Sequence, residues 1–305
     1  MAQLHDAQVA RVLAWLEQAD ASRGSRKPVL AAGRDGVFVP IRGDDSYREA
    51  ATATLSVYDR AGRRLGTVYL GRMPEAQQAT LSQQLTGLLT DVLRRWDKAR
   101  PRLAYVTDGG WHPRDYFTRV LRRLPDPRHP GAVLAWERVV DFYHAAQYVT
   151  QLAEALFGET PRARAWARRM RQRLKERRGL TRLLQAASWH RGGLGLSAAR
   201  AEAYRKAYRY LQGHRRWMDY ARYHREGLPL GSGITEAGCK VLFTQRLKQS
   251  GMKWKGPGGQ VIVTLRALWL SGVWEEVFRA FHTSQTPRFE TSKAPPHVED
   301  QEKAA

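Results

Sequence analysis

Between residues 29 and 141 the apolar residues change period repeatedly, and that change restricts the chain to few folds. Ala51, Ala53, Leu55 and Val57 alternate with Thr52, Thr54, Ser56 and Tyr58, the two-residue period of a half-buried antiparallel strand. Before them, VLAAGRDGVFVPIR over 29–42 reads as a strand interrupted by Gly33 and Gly36; after them, the turn DRAG leads into RLGTVYLG, so three strands form a meander. Leu81, Leu85, Leu88, Leu89, Val92 and Trp96 then fall on one face at helical spacing, which predicts a helix over 75–97 covering the sheet. LAYVT at 103–107 is apolar and bounded by charge, like a strand buried on both faces, and it ends on Asp108-Gly109-Gly110. A helix carrying Tyr116, Phe117, Val120, Leu121 and Leu124 comes next, and then the strand AVLAWERVV, which ends on Asp141. The order is strand, strand, strand, helix, strand, helix, strand.

Around this block the chain divides into further parts. Val9, Val12, Leu13 and Leu16 predict a short helix over 5–20, with a linker that brings the first part to residue 28. Asp141 opens a helix with Phe142, Ala145, Val149, Leu152 and Leu156 inward and Gly158 as its stop, so 29–158 forms the first part of the core. Residues 159–226 contain no convincing strand. Within them, 162–191 carry ten Arg and one Lys against a single acid, Glu176, with Trp166 and Trp189 interspersed. A solvated helix face needs fewer cations than that, so this region reads as an α-helical insertion with a phosphate-facing surface. Residues 227–282 return to the core with the string GLPLGSGITEAGCKVLFTQRLKQSGMKW and a long apolar helix, VIVTLRALWLSGVWEEVFRAFH. Residues 283–305, rich in Pro, Ser, Lys and Glu, have the composition of a disordered tail.

The net charge of +22, from 51 Lys and Arg against 29 Asp and Glu, points to a polyanionic partner, nucleic acid first and an anionic membrane surface second. No window approaches 18 consecutive apolar residues, and the N-terminus carries acids where a signal peptide would be basic and then apolar. The expectation is a soluble, intracellular protein. A single cysteine, Cys239, excludes an internal disulfide framework and any multi-cysteine zinc site, so a metal would be held by Asp, Glu or His.

The element order is that of a ribonuclease H-like fold, a mixed five-stranded sheet with flanking helices, here with an all-α insertion. In that fold the first and fourth strands are neighbours, which sets Asp35 beside Asp108. Two adjacent carboxylates repel unless a cation lies between them, and Mg²⁺ prefers such oxygen ligands. Glu236 stands behind a glycine-rich loop and ahead of Lys240, Arg246 and Lys248, an unexpected place for a lone acid. Alone, it reads as an N-terminal helix carboxylate offsetting the helix dipole. With Asp35 and Asp108 it completes a carboxylate set able to hold two metal ions for in-line phosphoryl transfer.

VTDGG at 106–110, VVDFYHAAQYVTQLAEALFG at 139–158, and GLPLGSGITEAGCK with QRLKQSGMKW within 227–254 also resemble the DDE transposases of bacterial insertion sequences, the Kra-type group related to Mutator-like elements. The resemblance spans roughly residues 30–282. It implies Asp35, Asp108 and Glu236 as catalytic, metal-holding acids, with Mg²⁺ or Mn²⁺, in two ions, as cofactor. Around Asp35 the match GRDGV is short, and Asp44 or Asp45 are alternatives in the following loop. Similar transposases carry a Cys-or-Asp, two residues, His pattern after the second acid; here it is Asp141-Phe142-Tyr143-His144, with one helical turn putting Asp141 and His144 on one side. Asp141 alone is a good helix N-cap and His144 alone a structural histidine; the resemblance adds a role in strand handling or active-site organisation.

Gly231, Ser232 and Gly233 serve as loop geometry before Glu236, or approach a phosphate through their amides. Cys239 reads as a small packed residue. Lys240, Arg246, Lys248, Lys253 and Trp254, with Arg168, Arg169 and Arg171 of the insertion, are candidate DNA contacts, cations for the backbone and an aromatic for an unpaired base. The expected activity is metal-dependent DNA strand cleavage and strand transfer at element ends. It would be carried out in the bacterial cytoplasm on nucleoid DNA, by a homodimer or larger assembly. Related full-length transposases carry a sizeable N-terminal DNA-recognition region, whereas only one helix and a linker precede the first strand here. That favours a fragment, a shortened copy, or a recognition surface elsewhere. The alternatives are an inactive or repurposed DNA-binding protein derived from a transposase, and a nuclease that cuts without joining.

Overall fold

The computed structural model describes residues 2–44 and 46–285; Asp45 and most of the expected tail, from 286 on, lie outside them. Helix α1 (Ala2–Asp20) precedes the meander β1 (Val29–Pro40), β2 (Tyr47–Tyr58) and β3 (Arg64–Arg72). Helix α2 (Ala79–Arg95), strand β4 (Arg102–Thr107), helix α3 (Trp111–Arg119) and strand β5 (Trp136–Val140) follow. The sheet has the order β3-β2-β1-β4-β5, antiparallel within the meander and parallel from β1 through β4 to β5. This is the mixed, helix-flanked sheet of a ribonuclease H-like fold, as the element order predicts.

Strand alternation assigns the two faces. Leu30, Ala32, Leu103 and Tyr105 pack with Leu81, Leu85, Leu88 and Leu89 of α2 and with Val9, Val12 and Leu16 of α1. The N-terminal helix is thus part of the body and not an appendage. Val29, Ala31, Ala104 and Val106 face the other way, onto α4 (Phe142–Phe157) and the helices after it. Those are α5 (Pro161–Leu174), α6 (Gly179–Gly192), α7 (Ala198–Gly213) and α8 (Tyr220–Glu226), an all-α stretch as expected. Trp166 is part of its core at 3% exposure, whereas Trp189 lies open to solvent at 77%. After α8 the chain returns across the sheet as α9 (Gly233–Cys239), a π-helical turn at Lys240–Thr244 and the short α10 (Gln245–Leu247).

Four expectations need correction. The helix expected to carry Tyr116 through Leu124 ends at Arg119, and a separate 3-10 turn at Leu121–Arg123 follows it. Gly33 and Gly36 do not interrupt β1, which pairs with β2 at every position from Val29 to Pro40. The segment Ala132–Ala135 is not strand; Leu134 instead bonds back to Leu124, and Asp126 to Ala132, in a tight turn ahead of β5. The apolar run over 261–282 is two helices, α11 (Gly256–Leu270) and α12 (Trp274–Gln285), broken at Gly272, whose φ of 66° belongs to the left-handed region. Among the described residues no helix is long and apolar enough to cross a membrane.

Candidate active site

Parallel pairing of β1 with β4 runs from Val29 opposite Arg102 to Gly33 opposite Val106. Carried two residues on, the same register brings Asp35, within β1, beside Asp108, the first residue after β4, on one face of the sheet. That face carries Ala31, Ala104 and Val106, so both acids point away from α1 and α2 and toward the returning chain.

Helix α9 crosses this face because two glycines, Gly33 and Gly238, admit it. Thr235 Oγ1 lies 2.7 Å from Thr54 Oγ1, and a Cβ on Gly33 would collide with both hydroxyls. At the other end of the helix, Gly238 leaves only 3.0 Å between its missing Cβ and the Thr52 methyl. The glycine that looked like a strand break is therefore the seat of the helix that bears Glu236. Ser232 O accepts from the amides of Thr235 and Glu236, so the acid enters in the first turn.

Asp35 feels the other two acids. Burial pushes the Asp35 carboxyl above the ordinary carboxylate range, and the charges of Asp108 and then Glu236 push the same way. The Gly36 amide, 2.8 Å from Asp35 Oδ1, and the Cys239 thiol pull it back down. Burial also raises the Cys239 thiol well above its usual value, so it packs against Asp35 as a neutral donor. Asp108 Oδ1 accepts from Gly110 N at 2.8 Å, and Glu236 Oε1 accepts from Ser232 Oγ at 2.8 Å. Asp44 has partners of its own: hydrogen bonds from Ser46 and then Arg48 draw it down to about 2, and Asp45 lies outside the described residues.

Asp141 has a function that its spacing did not reveal. Its Oδ1 caps α4 by accepting from His144 N at 2.8 Å. Its Oδ2 accepts from both the amide and the hydroxyl of Ser232, the hydroxyl at 2.6 Å. The same hydroxyl contacts Glu236, and one hydroxyl has one proton to give, so it satisfies one of these carboxylates at a time. Asp141, only 1% exposed, thus anchors the loop that carries the third acid. The tie joins residues 91 positions apart, and neither composition nor periodicity carries any trace of it.

His144 lies in an aromatic cluster behind Asp108, 5.6 Å from Tyr148 and 5.9 Å from Tyr210, centroid to centroid. Tyr148 and Tyr210 stack at 3.6 Å, and the Tyr210 hydroxyl donates to Asp108 O at 2.7 Å. His214 Nδ1 donates to Tyr210 O at 2.8 Å, and burial lowers the pKa of the ring. Sequence reading missed Tyr210 and His214. Their four-residue spacing at the end of α7 was the signal that could have found them.

Asp35, Asp108 and Glu236 offer only oxygen, and their mutual repulsion is the electrostatics a hard divalent cation relieves. As they stand, no three His, Cys, Asp or Glu side chains among the described residues are grouped closely enough to share one ion. Asp108 Oδ2 and Glu236 Oε2 have no hydrogen-bond partner among the described residues, which leaves both free to turn toward a cation. The donor set therefore fits Mg²⁺ or Mn²⁺.

Of the candidate DNA contacts, Lys240, Arg246, Lys248, Lys253, Arg168 and Arg169 are exposed, and Arg171 is half-buried beside Thr150. Trp254 is placed differently from the expectation of an open stacking surface. Its backbone bonds to Arg42, its ring packs against the cluster of Val39, Met73 and Phe243, and Arg246 lies over it at 6.0 Å. Compared with protein-family models and with curated proteins, the chain matches none.

Proposed function

We propose that this protein is a DDE-type DNA transposase catalytic domain, which cuts DNA at insertion-sequence ends and joins the 3′-hydroxyls to target DNA. The observation that supports the reading best is the convergence of Asp35, Asp108 and Glu236. Asp35 lies on β1, Asp108 directly follows its parallel neighbour β4, and Glu236 rides on a helix laid across β1 and β2, near enough to help raise Asp35. Structural carboxylates are rarely set where they repel and have no cation side chain between them. The acids would hold Mg²⁺ or Mn²⁺, which when bound supplies activation of water or a 3′-hydroxyl and stabilisation of the leaving oxygen.

The chain's own residues do the rest. Asp141 and Ser232 fix the Glu236 loop, and Tyr210 steadies the backbone of Asp108. The exposed cations of α5 hold the phosphate backbone. The reading includes a homodimer or higher oligomer on paired ends, working on nucleoid DNA in a bacterial cytoplasm.

The test is Glu236→Gln with metal-dependent cleavage and strand transfer on an oligonucleotide end. Loss of both with DNA binding retained is expected, and undiminished product would end the catalytic assignment. A second reading, a DNA-binding protein without chemistry, draws on the ungrouped state of the acids. It expects salt-dependent binding and no nicked product in Mg²⁺ from the unaltered chain. Pre-cut ends with free 3′-hydroxyls separate a strand-joining enzyme from a nuclease.

A further inference from the structure

Between α4 and α5 lies a cavity of about 470 Å³, and its walls are not those of a packing defect. Arg168, Arg171 and Lys175 line one side, Gln147 and Gln172 contribute amides, and Tyr143 stands at its edge. None of the three cations pairs with a carboxylate among the described residues, although Arg171 Nη1 is tied to Thr150 Oγ1 at 3.3 Å and the Lys175 ammonium rests 4.9 Å over the Phe142 ring. Tyr143 is 68% exposed, an uncommon exposure for an aromatic with an apolar face.

The place of the cavity is as informative as its lining. A Cβ on Gly231 would lie 3.0 Å from the Tyr143 ring and 3.6 Å from Asp141 Oδ2, and Ser232 and Glu236 follow directly. The cavity therefore opens beside the loop that carries the third acid. Its volume is in the range of a site for one small ligand and cannot admit a duplex. Cations for a phosphate, an aromatic face for a base and amides for a base edge are the components of single-stranded nucleic-acid recognition.

The geometry points to a pocket for one unpaired deoxyribonucleotide, with Tyr143 stacking on the base and Arg168, Arg171 and Lys175 holding its phosphate. The inference rests on the transposase reading for its DNA and adds that the strand next to the reacting phosphate is held unpaired.

The test compares, by fluorescence anisotropy in Ca²⁺ with the full chain, a blunt duplex, the same duplex with a three-nucleotide unpaired end, and that end made abasic. The unaltered protein is expected to prefer the unpaired end by about tenfold, the scale of one base–aromatic stack. The preference should vanish with the abasic end and in Tyr143→Ala, and survive in Tyr143→Phe. Circular dichroism checks that the variants fold. Equal affinity for blunt and unpaired ends, or a preference that persists in Tyr143→Ala, overturns the pocket and leaves the transposase reading in place. No binding to any of the three DNAs overturns both.

Discussion

The sheet-bearing body and the helical insertion treat their cations in opposite ways. In the body, Arg60 pairs with Asp20, Arg63 with Asp59, Arg100 with Asp126 and Arg11 with Glu276. In the stretch 162–191, ten Arg and one Lys share the single acid Glu176, which pairs with Arg182 at 3.4 Å. Excess charge spread evenly would be a matter of solubility. Excess charge confined to helices beside the acids Asp35, Asp108 and Glu236 is, on the proposed reading, a division between a surface for a polyanion and a site for a cation.

Four substitutions would break or sharpen that comparison. The largest effect is expected from Asp108→Asn: strand cleavage should fall by roughly a thousandfold, the several kcal/mol that a metal's charge stabilisation supplies, while duplex binding stays within about a factor of two. Quantified gel assays of product and of bound DNA check both halves, and a parallel loss of binding would undo the division. Next, Arg168→Ala with Arg169→Ala should weaken DNA binding by about ten- to a hundredfold at moderate salt. The slope of log affinity against log salt should flatten by about 0.9 for each phosphate that is no longer neutralised. Arg63→Ala in the body should leave that slope unchanged.

Asp141→Asn keeps an oxygen for the His144 amide but turns an NH₂ toward the Ser232 donors. It should lower turnover by roughly ten- to a hundredfold, the usual cost of losing a group that orients a metal ligand, with DNA affinity unaffected. A variant that keeps full turnover would reduce Asp141 to a helix cap.

The smallest effect concerns stability and has the opposite sign. Ionising Asp35 in the folded protein carries a cost, because its pKa is raised by burial, by Asp108 and by Glu236. Asp35→Asn should therefore stabilise the metal-free fold by roughly 0.5–2 kcal/mol in denaturant titrations while abolishing cleavage. For a raised carboxylate, stability is gained as pH falls through the folded pKa. For Asp126, held low by Arg100, and Asp59, held low by Arg63 against the opposing effect of burial, stability is present above the ordinary value of 3.8 and lost below it. The unaltered protein should thus firm slightly on mild acidification and then weaken, and Asp35→Asn should remove the first phase only. A profile with no first phase in the unaltered protein would mean that the Asp35 carboxyl is not raised.

The sequence disclosed the strands and helices for a physical reason: their patterns are local, whereas Asp35, Asp108 and Glu236 could be set together only through the fold order and the resemblance. Alternation at Ala51–Val57, the helical stripe of Leu81–Trp96 and the buried run LAYVT each record which face meets the core within a single element. Contacts made across the fold left no such record. Gly33 looked like an interruption because the atom that requires it belongs to Thr235, far along the chain. Asp141 looked like an N-cap because its second oxygen is used by Ser232, and Trp254 looked like an open stacking surface because its burial depends on Val39 and Phe243. The break at Gly272 was hidden for a different reason, since apolar residues continue on both sides of it.

Helix α4 has a mechanical consequence. Its first turn is pinned through Asp141 to the Ser232 loop, and after Gly158 the chain leads straight into α5. Its 16 residues make a rod of roughly 24 Å at 1.5 Å per residue. Load applied where DNA would pull on α5 is delivered to the Glu236 loop through a stiff lever and not through a slack tether. How firmly the insertion grips its strand would then set how squarely the third acid is aimed.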